Sequence, residues 1–158
     1  MRVSPLLIAA VSLAACAKNE TPKPDSTAPA AAAAPAPPAA VTAADVAGTF
    51  TGQVMAQNND SVLFKFVCVQ PATGNTSKCT NNVSKDTTAY TYTLSGADSV
   101  MWTSVAYTPP TPPKSPKVID HVVGRMTGGK WGGTVVTVLA SKPDSVVNRT
   151  RWEATKTP

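Results

Sequence analysis

Apolar and polar side chains alternate with a period of two through much of residues 45–158, and no other feature constrains the fold as tightly. Successive side chains of a strand point to opposite faces, so this period marks segments with one face buried and one wet. Within 61–69, Val62, Phe64, Phe66 and Cys68 share a face and Lys65 takes the other. Within 88–94, Tyr90, Tyr92 and Leu94 share a face, and 99–107 holds Val100 and Trp102. In 117–126, Val118, Val122 and Met126 lie on one side and Ile119, His121 and Val123 on the other. Segments 47–56, 131–139 and 146–154 complete the set. Ala, Leu and Glu are too sparse here for a helical period. The expectation is an all-β domain: an antiparallel sheet of about seven strands, closed as a small barrel or packed as a sandwich.

Turn chemistry supports this reading. Asp-Ser-Val recurs at Asp60-Ser61-Val62, Asp98-Ser99-Val100 and Asp144-Ser145-Val146, each after turn-forming residues and before an apolar run. The aspartate is expected to cap a turn and the valine to start a strand. The spacing is unequal, so the three motifs do not read as a solenoid repeat. Gly128-Gly129-Lys130 predicts a tight hairpin, and Gly132-Gly133 ease the strand beside Trp131. Residues 108–116 hold five prolines. They predict a stiff connector or edge, and their overlapping P-x-x-P spacing also suits an aromatic groove.

The N-terminus is organised differently. Arg2 precedes a mostly apolar run, 3–13, followed by the small residues Ala14 and Ala15. That is the anatomy of a secretory signal, and the run falls well short of the roughly 20 residues that span a bilayer as a helix. Leu13-Ala14-Ala15-Cys16 resembles the lipobox of bacterial lipoproteins. The resemblance implies cleavage before Cys16, a diacylglyceryl group on its sulfur and acylation of the new amine. Several chains together hold stably where one is marginal. An ordinary signal peptide with a chance cysteine is the alternative. Such lipoproteins are retained at the inner membrane by Asp after the cysteine, and Ala17 instead implies the outer membrane, facing the periplasm. The expected organisation is a signal peptide at 1–15, lipidated Cys16 with a disordered linker to 44, and a β domain over 45–158. Residues 17–44 contain twelve Ala and six Pro. As a semi-extended spacer they reach about 80 Å.

With Cys16 given to lipid, Cys68 and Cys79 remain as an even pair in an oxidising compartment. A disulfide between them is expected, with two free thiols as the alternative. A lone pair of cysteines and one histidine argue against a metal site. The β domain carries eleven Lys or Arg against seven Asp or Glu, scattered singly, as on a solvated surface. Nucleic acid is not an expected partner in this compartment.

No catalytic residue is expected. His121 and Asp120 are adjacent on an alternating strand, so they point to opposite faces and form no dyad. No G-x-S-x-G, H-E-x-x-H or phosphate-binding loop occurs, and no cofactor is implied. Gly48-Thr49-Phe50 is weakly similar to the Gly-x-Trp opening of lipocalins, and the resemblance places Arg149 or Arg151 across that aromatic. The domain as a whole is similar to small, uncharacterised all-β lipoprotein domains with Asp-Ser-Val turns and an Arg-rich last strand, which implies no activity. Phe50, Trp102, Trp131 and Trp152 are candidates for a ligand pocket or for the core. Two functions follow as expectations: a lipid-anchored binding or envelope-interaction module, with an envelope protein as one partner, or a lipocalin-like carrier of a small apolar ligand.

Overall fold

The computed structural model describes residues 40–109 and 115–158. A single-turn helix, α1 (Ala43–Val46), leads into β1 (Gly48–Ala56), β2 (Val62–Gln70), β3 (Thr76–Asn81) and β4 (Thr87–Ser95). Then follow β5 (Ser99–Ser104), β6 (Val118–Thr127), β7 (Lys130–Leu139) and β8 (Lys142–Lys156). Each strand pairs antiparallel with its sequence neighbours, and β8 pairs with β1, so the sheet closes as an eight-stranded barrel. The all-β expectation therefore resolves to a barrel rather than a sandwich. Closure also removes the unpaired sheet edges that an open sheet would expose.

The additional strand is β3. Its polar sequence, Thr76-Ser77-Lys78-Cys79-Thr80-Asn81, carries no apolar alternation and reads as part of a loop. It is held instead by ladders to β2 and β4 and by the Cys68–Cys79 disulfide, whose two residues face each other in register. The third Asp-Ser-Val also departs from expectation. The chain turns earlier, at Ala140-Ser141, and Asp144-Ser145-Val146 lies inside β8. There Leu139 pairs with Lys142 and Val138 with Val146, so Pro143 to Ser145 form a bulge where proline removes no ladder bond. A bulge in β2 likewise sets Val62 opposite Met55, off the face of Phe64. The prolines at 110, 112 and 113 lie outside the described residues, as do Leu13, Ala14, Ala15, Cys16 and the linker to residue 39.

Inward positions form the core: Phe50 and Val54 from β1, Tyr92, Val100, Trp131, Val135, Trp152 and Ala154, with Phe64, Phe66 and Trp102 packed against them. Trp102 meets both Trp131 and Trp152 edge-on at 5.6 Å between centroids. These are favourable aromatic geometries. Gly124 makes room for them, since a Cβ there would sit 2.5 Å from the Trp152 ring and 2.9 Å from Trp102. Outward positions mix Thr, Lys, Gln and Arg with exposed apolar residues such as Val67, Val69, Met101 and Val123.

In an up-and-down barrel alternate connections share an end. The β2–β3, β4–β5 and β6–β7 turns, together with both chain entry and exit, lie at one end. That end is closed by the entering segment. Val46 is buried there at 2% exposure, Val41 packs on the core, and the Val41 N–H donates to Ala97 O across the end. Thr42 and Asp45 form a capping box that holds α1 in place, and Thr42 bonding holds the Asp45 carboxyl below its ordinary range. The opposite end carries the β1–β2, β3–β4, β5–β6 and β7–β8 connections.

Candidate functional site

The barrel is not filled. A cavity of about 520 Å³ runs from the closed end to the opposite rim. That size lies within the range of small-molecule sites, which is roughly 300–1,000 Å³. Its floor includes Val46, Phe50, Trp131 and Ala154, and Trp102 and Trp152 are on its wall. The four aromatics singled out from sequence thus belong to one structure: they pack as core on one side and line the cavity on the other. At the rim stand Leu63, Val83, Pro109 and Val147, all from connections or strand ends of the open end, and Leu63, Val83 and Val147 are exposed.

One wall is polar. Asp120 is 6% exposed and points inward with Val118 and Val122. Its Oδ2 accepts from Tyr90 OH at 3.1 Å and from Tyr107 OH at 2.8 Å, and its Oδ1 accepts from Thr137 Oγ1 at 2.7 Å. Its backbone N–H donates to Ser104 Oγ at 2.9 Å, which ties the strand to β5. Four elements converge here: β4 brings Tyr90, the chain after β5 brings Tyr107, β6 brings Asp120 and β7 brings Thr137. Tyr107 is anchored by an isolated bridge to Val118. Burial and then the neighbouring carboxylate push both tyrosine hydroxyls above the ordinary phenol range. They therefore stay protonated and donate.

Two buried polar atoms that line the cavity near its closed end have no hydrogen-bond partner, Gln70 Oε1 and Trp131 Nε1. The Gln70 amide nitrogen is engaged, donating to Pro71 O and Gly74 O, which leaves the oxygen facing inward at 3% residue exposure. A buried polar atom without a partner costs about 1–3 kcal/mol, so a cavity lined by such atoms gains by taking in a partner.

Other expected positions lie elsewhere. Cys68 and Cys79 are joined as a disulfide that lines the cavity. His121 faces outward beside Thr103, away from Asp120. Arg149 and Arg151 do not cross the first-strand aromatic. Arg151 pairs with Met55 and binds Asp60 and Asn59 at the open end. Lys156, opposite Phe50 in register, takes the place over that ring, with Nζ 6.0 Å from its centroid. Sequence reasoning missed Asp120, Tyr90, Tyr107, Thr137 and Gln70. Strand parity puts Asp120 on the inner face with Val118 and Val122, and that was the available signal.

Among the described residues no cluster of three or more His, Cys, Asp or Glu could hold a metal ion. No described helix is long and apolar enough to cross a membrane, which says nothing of strands. No protein-family model, curated protein or solved structure matches the chain.

Proposed function

We propose that the barrel binds a small, largely apolar molecule in its interior and that the protein works at the bacterial cell envelope, anchored by lipid on Cys16. The observation that carries the binding reading is the cavity of about 520 Å³, closed at one end and open at the other. A chain selected only to present its outer surface to a partner has no need of a hollow interior, since filling it would add dispersion contacts and burial. The cavity therefore favours a carrier or sensor of a small ligand over a surface-interaction module. The lipobox residues and the Cys68–Cys79 disulfide support placement outside the cytoplasm, with outer-membrane anchoring as the expectation from Ala17.

Titration of the full chain carrying Cys16→Ser with the neutral fluorophore N-phenylnaphthylamine tests the binding reading. Saturable one-to-one binding is expected, with about tenfold weaker affinity in Val135→Trp, which fills the cavity wall. Absence of saturable binding, or equal binding by a folded Val135→Trp variant, overturns it.

A further inference from the structure

We propose that the ligand of this cavity is a monocationic amphiphile, an amine or ammonium head on an apolar body, with its head held by Asp120 and the surrounding hydroxyls. The inference rests on the barrel-interior reading above and adds the chemistry of the ligand's head.

The lining carries the argument. Among the described residues that line the cavity, Asp120 is the one charged group, and neither Lys, Arg nor His is present. This holds in a chain whose formal net charge is +5. Lys156 lies over the Phe50 ring at the closed end, the end away from Asp120, and its Nζ donates to Ala44 O. Arg125 pairs with Asp98 at 3.6 Å and Arg151 with Asp60 at 2.8 Å, both outside the cavity. Among the described residues, the hydrogen bonds to the Asp120 carboxylate come from the neutral hydroxyls of Tyr90, Tyr107 and Thr137. A buried anion without a counter-charge attracts a cation far more strongly than it would in water.

Hydrogen-bond polarity sharpens the choice. Each of Tyr90, Tyr107 and Thr137 spends its single hydroxyl proton on Asp120. What these groups turn to an incoming head is oxygen lone pairs and negative charge. At the closed end, away from Asp120, the unpartnered Gln70 Oε1 accepts and the unpartnered Trp131 Nε1 donates, so the preference for a cationic head comes from the Asp120 cluster. An ammonium head supplies donors and positive charge together. A carboxylate or phosphate head would meet like charge and acceptors. The rings of Tyr90, Tyr107 and Trp102 on the wall add faces on which a cation is favoured. Below them the aromatic and aliphatic floor accepts the apolar body.

The test compares decylamine, decanol and decanoate as displacers of N-phenylnaphthylamine from the full chain carrying Cys16→Ser. Decylamine is protonated at neutral pH, as a lysine side chain is. It is expected to bind at least about tenfold more tightly than decanol, with decanoate weakest. In Asp120→Asn the amine-to-alcohol preference is expected to collapse to within about threefold. Should that variant not fold, Asp120→Ser, which also removes the charge, is expected to narrow the same ratio. Equal binding of amine and alcohol by the unmutated pocket, or preference for decanoate, overturns the head-group inference and leaves the cavity reading standing. Failure of N-phenylnaphthylamine itself to bind overturns both.

Discussion

Asp120 shows what a single residue does here. It occupies a position where alternation calls for an apolar side chain, between Val118 and Val122, and it is tolerated because three hydroxyls meet it. Burying a carboxylate without such donors would cost several kcal/mol. The parity of β6 made its inward direction readable. Its partners were not readable, because Tyr90, Tyr107 and Thr137 come from other elements and meet only when the ring closes. The tyrosines also give the barrel an alkaline limit. Their ionisation is held above the ordinary value of 10.0 in the fold and is free in the unfolded chain. Above about pH 10 the unfolded chain therefore loses protons that the folded one keeps, and stability falls as pH rises. Urea midpoints measured from pH 8 to 11 should decline along this limb. The decline should be shallower in Tyr107→Phe, and an identical slope would contradict the assignment.

At the level of elements, β2 and β3 illustrate two routes to a strand. β2 is legible because Phe64, Phe66 and Cys68 alternate with Lys65, Val67 and Val69. β3 has no such pattern and depends on its neighbours and on the disulfide to β2, which sets register where side-chain burial does not. Replacing both Cys68 and Cys79 by serine should lower stability by about 3 kcal/mol, as read from denaturant unfolding under oxidising conditions. It should also raise hydrogen exchange in Thr76–Asn81 more than in β6 and β7. Uniform exchange across the barrel would show that β3 stands without its link. The bulge at Pro143–Ser145 belongs to the same lesson. A proline before Asp-Ser-Val looks like a turn, and only the register of β7 against β8 reveals that the strand passes through it.

Residues 45–158 were legible as an antiparallel all-β domain, while closure, the hollow interior and the polar wall are outcomes of ring geometry. Val41 and α1 lie across the closed end of the barrel, ahead of its first strand at Gly48. Val46→Ala should cost roughly 2 kcal/mol by leaving a gap beneath the core. It should also weaken retention of N-phenylnaphthylamine, since the floor of the cavity is loosened. A variant as stable and as tight as the parent would show that the end is sealed by other residues. Seven of the ladders join strands consecutive in the chain, and the eighth joins β1 to β8, setting Phe50 beside Lys156. The consecutive ladders are hairpins that can form as soon as each is synthesised. Until β8 arrives, the nascent sheet carries two bare edges, and its apolar inner face lacks the strand bearing Trp152 and Ala154. Protection from aggregation is thus acquired all at once, at the last strand, and a chain cut short before it would present an open template for pairing with its own copies.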